Sequence, residues 1–307
     1  MTNMTNDKNS TASVISRLEA EGFRAALIPF SCIEQIKNIY RSYEESENAP
    51  FSAKSWFFCE QPPDITFKAL SILIVAFQSQ AGELILKHRG NEISLPIPPT
   101  YLDDFTVKRL VEVLGNVTDG YMLKEVKSIS LKLLAVLGGL GKYGRNALCY
   151  LEGFGSFCNF AAYYTDIPCE NNTCEPTFMD QCEACSLCAD ICPNNALGGR
   201  MAIDTSRCLT MWNEHNGPLP GWIMPDVHHA AVGCIRCQEV CPVNKAVQIQ
   251  KKEALELSEE ETEILLQSQS TGLPQELSKR LTDYGLWNMF ISLAGRNAKL
   301  VIEAAEM

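Results

Sequence analysis

The chain has 307 residues, 46% of them hydrophobic and 21% charged, a globular composition that excludes intrinsic disorder and leaves room for more than one compact unit. Thirty-seven acidic residues against 26 Lys and Arg give a net charge of −11, which argues against a long nucleic-acid backbone as partner unless positive charge is concentrated locally. The opening MTNMTNDKNS lacks the charged-then-apolar design of an export signal, and the longest apolar stretch, Ala69 to Phe77, is too short to span a bilayer, so a cytoplasmic protein with no membrane association is expected.

In chain order, Val14, Ile15 and Leu18 predict a short helix, Phe23 to Phe30 a strand, and Ile33, Ile36, Ile39, Tyr40 and Tyr43 a second helix. Ala69 to Phe77 (ALSILIVAF) is a continuous apolar run with β-branched residues, as a central strand covered on both faces requires; periodicity alone also allows a buried helix. Glu92 to Tyr101 carries Pro96, Pro98 and Pro99 and must be extended, after which Phe105, Val107, Leu110, Val111 and Leu114 predict a helix closed by Gly115. Val126, Ile129, Leu133, Val136, Leu137 and Leu140 predict another helix, running into a glycine-rich turn from Gly138 to Gly144. From about Pro168 to Lys245 the composition shifts to cysteine, proline and asparagine, the mark of a second, metal-organised domain. Ser258 and Glu261 have capping-box spacing before an acidic helix, and a final helical stretch passes through Leu286, Phe290 and Leu293.

Fourteen cysteines in a chain with no export signal point away from disulfides and toward thiolate ligands for a soft metal centre. Cys182-x2-Cys185-x2-Cys188-x3-Cys192-Pro193 has the full spacing of a bacterial ferredoxin cluster motif, and a split second set follows as Cys208, then Cys234-x2-Cys237-x3-Cys241-Pro242. Three thiolates on one tight loop reach three irons of one cubane, while the cysteine before proline leaves toward the other cluster. The spacing therefore assigns Cys182, Cys185, Cys188 and Cys241 to one 4Fe-4S cluster, and Cys192, Cys208, Cys234 and Cys237 to the other. Zinc is the competing reading, but the pairs are too far apart and the repeated Cys-Pro has no role in a zinc ribbon. The remaining cysteines, Cys32, Cys59, Cys149, Cys158, Cys169 and Cys174, read as small buried hydrophobes, with Cys158 a candidate to face a cofactor. His228 and His229 precede the second motif and read as structural, with hydrogen bonds to cluster sulfurs as the functional alternative.

Gly139-Leu140-Gly141-Lys142-Tyr143-Gly144 satisfies G-x-G-x-x-G, but a dinucleotide fingerprint follows a strand and opens a helix, whereas helical periodicity precedes this loop. A close-packed helix C-terminal turn, or close backbone approach to a large amide- or phosphate-bearing cofactor, both stay open on these residues. Taken in order, the GLGKYGRN loop, Tyr164-Thr165-Asp166, the double cluster ending in Gly233 to Lys245, and the tail stretches Leu257 to Glu261 and Leu293 to Asn297 resemble the epoxyqueuosine reductase family, itself similar in core to reductive dehalogenases.

This resemblance implies an α/β (α+β) fold, with a nitroreductase-like corrinoid-binding domain at 1–170, a two-cluster bacterial ferredoxin-like domain at 171–250 and a helical C-terminal tail at 251–307. It implies cobalamin beside the two clusters, held by Gly139, Gly141, Lys142, Tyr143, Gly144, Arg145, Asn146, Thr165 and Asp166. The implied activity is a reductase in which a ferredoxin or flavodoxin supplies low-potential electrons for a small organic substrate. Two positions depart from the family pattern. The family loop usually reads GLGWxGKN, so Lys142 stands at a tryptophan position, and the D-S-x-P stretch that opens with the catalytic acid is absent, ungapped counting landing on Glu125. Glu125 is therefore the candidate acid, against a plain reading as a solvated helical glutamate, with Tyr121 or Asp119 as substitutes. The acidic balance and the lack of the family's helical-repeat extension disfavour tRNA as substrate without excluding it. The alternative function is an electron-transfer module that reduces the corrinoid of a partner protein and has no substrate of its own.

Overall fold

The structure is a computed structural model and describes residues 11–44, 65–102, 104–127, 129–169, 174–198, 203–267, 272–286 and 288–306. Its elements run α1 (Thr11–Ala20), β1 (Arg24–Pro29), α2 (Ile33–Glu44), β2 (Ser71–Gln78), β3 (Gln80–His88), β4 (Asn91–Ile97), α3 (Asp104–Val117), β5 (Leu123–Glu125), α4 (Leu131–Leu137), β6 (Gly141–Tyr143), β7 (Cys149–Leu151) and β8 (Cys158–Thr165). Four short helices follow in the cysteine-rich segment: α5 (Leu187–Asp190), α6 (Leu209–Glu214), α7 (Arg236–Glu239) and α8 (Pro242–Lys245). Then come β9 (Gln250–Lys251), β10 (Leu255–Leu257), α9 (Glu259–Gln267), α10 (Gln275–Asp283) and α11 (Asn288–Glu306). The fold mixes helix and sheet, and the chain packs as two units drawn from separated segments. One unit comprises Met1–Gln78, Phe105–Ser186 and Leu197–Asp204, the other Ser79–Asp104, Leu187–Ala196 and Thr205–Met307.

In the first unit, four antiparallel strands lie in the order β1-β2-β8-β5. β2 is interior because it is apolar on both faces: every residue from Ser71 to Phe77 is buried. Alternation sends Ile72, Ile74 and Ala76 to one face, into a core with Ile36 of α2 and Leu133, Leu134 and Leu137 of α4. Leu73, Val75 and Phe77 go to the other face, with Val14 and Leu18 of α1 and Leu110 and Leu114 of α3. The strand covered on both faces is thus observed, each large side chain contributing about 1.5–3 kcal/mol by burial.

Two helix boundaries differ from the expectation. α3 continues past Gly115 to Val117, because the left-handed residue that turns the chain is Gly120, with φ 88°, and not Gly115. The helix expected from Val126 begins at Leu131, where the Ser130 hydroxyl accepts the Leu133 N–H at 3.4 Å. Val126 lies beside the sheet instead and donates its N–H to the Ala162 carbonyl at 2.8 Å.

In the second unit, β3 and β4 form a hairpin that the sequence reading missed, and its Arg89-Gly90 turn has φ values of 50° and 77°. β9 and β10 pair with β3 in parallel, and Leu84, Leu86, Leu95 and Ile97 of the hairpin share a core with Leu257, Leu265, Leu281 and Ala294. The capping box is present: the Ser258 N–H donates to the Glu261 carboxylate at 3.0 Å, and the Glu261 N–H donates to Ser258 Oγ at 3.2 Å. Gly295 lets α11 lie against α9, since a Cβ there would overlap the Leu265 carbonyl oxygen. Leu286 precedes α11 and does not belong to it. No helix among the described residues is long and apolar enough to cross a membrane.

Candidate iron-sulfur centre and glycine loop

The glycine loop is a hairpin of β6 against β7, entered from α4 through Gly139, whose φ is 74°. A helix before the loop and a strand after it is the reverse of a dinucleotide fingerprint. Gly141 and Gly144 answer to packing inside the hairpin. A Cβ on Gly141 would stand 2.5 Å from the Tyr150 carbonyl oxygen and 2.8 Å from Cys149 Sγ, and one on Gly144 would stand 2.5 Å from the Tyr150 ring. The loop's side chains are engaged as well. Asn146 is buried and donates to the Tyr150 hydroxyl at 3.0 Å, and exposed Lys142 pairs with Asp180 at 3.5 Å. Buried Tyr143 donates its N–H to the Thr177 carbonyl and accepts the Met179 N–H, both at 2.9 Å. Arg145 donates from Nε to the Cys185 carbonyl at 2.8 Å and from Nη2 to the Cys182 carbonyl at 2.7 Å. The loop thus grips the segment that carries the first two motif cysteines.

Thr165 and Asp166 close β8. Thr165 Oγ1 accepts the Ile167 N–H at 3.2 Å, and the Asp166 carboxylate accepts the Met122 N–H at 2.8 Å, which holds the turn before β5. Glu125 lies on β5 opposite Tyr163, a correction to its reading as a helical residue; it is exposed and pairs with Lys127 at 3.0 Å. Burial first, and the Glu125 charge second, push the Tyr163 hydroxyl above its ordinary pKa. Of the substitutes, Tyr121 is partly buried and Asp119 is exposed.

The cysteine motifs sit on turns and short helices. Cys182 closes a turn at Asp180–Cys182, Cys188 lies in α5, Cys237 in α7, and Cys208 and Cys241 are the residues that open α6 and α8. Within the second unit α5 packs on α7. Cys192 lies near enough for its charge to act on Cys208 and Cys234, and Cys208 near enough to act on Cys234. Burial is the larger cause in each case, raising the Cys208 thiol and pushing Cys234 up to about 12. Three of the four cysteines assigned to the second cluster thus lie within electrostatic reach, although they come from separate stretches of chain. The Ala196 N–H donates to Cys192 Sγ at 3.3 Å. Among the described residues no three His, Cys, Asp or Glu side chains converge on a single-ion site.

Around these thiols, the Tyr101 hydroxyl bonds Glu214 and lies over Gly233, with φ 61°, where any Cβ would overlap it. Burial, then Glu214, hold the Tyr101 pKa well above its ordinary value. His229 Nε2 accepts the Ile235 N–H at 3.4 Å. His228 is 4% exposed, neither ring nitrogen has a partner among the described residues, and burial followed by the nearby Arg296 charge lowers its pKa to about 4.

Cys32 and Cys174 are buried as expected and come together in one core of the first unit, their Cα atoms 6.0 Å apart. Cys149 and Cys158 are buried as expected, burial pushing Cys149 up to about 12, and Cys169 is partly buried. Cys59 lies outside the described residues.

A family model described as a 4Fe-4S double cluster binding domain matches residues 181–244. An epoxyqueuosine reductase of Bacillus anthracis is 25% identical over 191 residues, covering 59% of this chain and 49% of its own. One of Cyclobacterium marinum is 31% identical over 149 residues, covering 48% and 47%. An epoxyqueuosine reductase solved with an epoxyqueuosine-modified tRNA stem loop superposes at a TM-score of 0.67 and 18% identity, over 95% of this chain and 80% of that one. The chain resembles the epoxyqueuosine reductases. It spans about half the length of the curated relatives it matches. At that identity the structural likeness to epoxyqueuosine reductase shows the fold, and the matched segment contains all eight cysteines picked out by spacing, a domain for two 4Fe-4S clusters.

Proposed function

We propose that the chain is an iron-sulfur, cobalamin-dependent oxidoreductase of the epoxyqueuosine reductase kind, taking low-potential electrons from a ferredoxin or flavodoxin through two 4Fe-4S clusters to reduce a small organic substrate. The observation that carries the reading is the double-cluster cysteine set inside an epoxyqueuosine reductase-like fold. Cys182, Cys185, Cys188 and Cys241 hold one cluster in this reading, and Cys192, Cys208, Cys234 and Cys237 the other; the motif spacing supports both sets. Arg145 keeps the main chain around Cys182 and Cys185 in place, and Glu125, exposed at the sheet edge, is the candidate proton donor. In role, residues 1–170 form a nitroreductase-like cofactor and substrate portion, 171–250 a ferredoxin-like portion and 251–307 a tail, although the packing units interleave these stretches.

Bound cobalamin supplies a cobalt centre that can carry electrons to a carbon–heteroatom bond. The side chains expected to hold it, Lys142, Arg145 and Asn146, are committed within the chain, so this part of the reading rests on the motif resemblance and the fold, and no step is assigned to them. The same commitment favours the alternative, an electron-transfer module that reduces the corrinoid of a partner protein. As a substrate, tRNA gains weight from the solved relative bound to a tRNA stem loop, against the net charge of −11.

The test is anaerobic: cluster-reconstituted protein is mixed with cob(II)alamin and the cobalt signal is followed by electron paramagnetic resonance. A base-off spectrum is expected. An unchanged free-cobalamin signal transfers the reading to the electron-transfer module. Turnover of an epoxyqueuosine-modified stem loop then separates tRNA from small organic substrates.

A further inference from the structure

We propose that the side-chain amide of Asn194 donates a hydrogen bond to an inorganic sulfide of the cluster bound through Cys192, and thereby raises the reduction potential of that cluster. The inference rests on the two-cluster reading above. Asn194 is 7% exposed, and its Nδ2 has no hydrogen-bond partner among the described residues. An amide N–H2 can only donate, and leaving it buried and unmet carries the full cost of its lost hydration. Such a group persists where an acceptor arrives from outside the protein chain.

The local geometry says which acceptor. Asn194 follows Cys192-Pro193 in a turn that continues through Asn195, whose φ is 51°, and curls back so that the Ala196 N–H donates to Cys192 Sγ at 3.3 Å. The turn therefore already presents one donor to this ligand. The main chain of Asn194 is anchored as well, its carbonyl accepting Arg207 Nε at 2.9 Å next to Cys208, so the residue is tied between two turns that carry ligands of the same cluster. No cysteine sulfur accepts from Nδ2, even though every motif cysteine is among the described residues. The acceptor is then the sulfur that comes with the cluster itself. A 4Fe-4S cluster gains one electron and one negative charge on reduction, and an N–H dipole aimed at its sulfur stabilises the reduced state more than the oxidised one.

The experiment uses the full chain, reconstituted anaerobically, with iron and sulfide content measured first and both clusters then titrated by electron paramagnetic resonance against potential. Asn194→Leu removes the donor at similar volume, and Asn194→Asp replaces the amide with a carboxylate of the same shape. Iron content is expected to hold, the midpoint of one cluster to fall in both variants and further in Asn194→Asp, and the other midpoint to stay in place. If Asn194→Leu loses iron, the isosteric Asn194→Asp carries the test. Unchanged midpoints, or an equal shift in both clusters, overturn the inference and leave water as the partner of the amide. Wild-type protein that holds no clusters after reconstitution instead overturns the two-cluster reading.

Discussion

Arg145 stands in a loop whose letters resemble a cofactor site, and the structure makes it a brace for the cluster segment. Its two bonds reach carbonyls 37 and 40 residues away, and no local pattern could have named those partners. Hydrogen bonds from a charged donor contribute about 1.5–3 kcal/mol each. Arg145→Gln is accordingly expected to release iron faster than wild type under a chelator; equal release rates would show that the brace does not hold the cluster loop. His228 offers a second prediction. Its pKa falls from the ordinary 6.5 to about 4 in the folded chain, so between those values the unfolded state binds a proton that the folded state does not. Stability therefore rises with pH across that window and is lost as pH falls through it. Wild type should lose stability relative to His228→Gln between pH 6.5 and pH 4, read as a difference in denaturant midpoint so that acid lability of the clusters, common to both proteins, cancels. A constant difference would mean that His228 titrates normally. The sequence reading singled out this histidine, but its burial and missing partner depend on the packing around it.

Among the elements, those with strong local patterns were legible and those with divided loyalties were not. β2 announced itself by a run of apolar residues, and α9 by Ser258 and Glu261. Ser258→Ala should cost about 1 kcal/mol by removing the hydroxyl that accepts the Glu261 N–H, while the Arg280–Glu261 ion pair persists. Denaturation of the cluster-loaded chain measures it, and a change below a few tenths of a kcal/mol would show that the box is dispensable. The start of α4 was misread because Val126 and Ile129 are apolar for a different reason: both are buried in the core against the sheet, and they fit helical spacing by accident of register. The extended stretch expected from Glu92 is β4, but its pairing with β3 is not legible, although Leu84 and Leu86 alternate toward Leu95 and Ile97 across an Arg-Gly turn.

At the scale of the whole chain, the cysteines set the chemistry. Cys185→Ala and Cys208→Ala are each expected to lower iron content to about half, each removing one cluster and sparing the other. Loss of all iron from either variant would mean that the two sets do not assemble independently, and full retention would refute the assignment. The sequence by itself determined the two-cluster domain, the central strand and the capping box, because ligand spacing, a continuous apolar run and a four-residue cap are properties of neighbouring residues. Only the tertiary structure decided that the glycine loop packs upon itself, that Glu125 lies on a strand and that Cys32 reaches Cys174. Each of these depends on contacts between segments far apart along the chain, where burial and hydrogen-bond demand are settled by the partner and not by the local pattern.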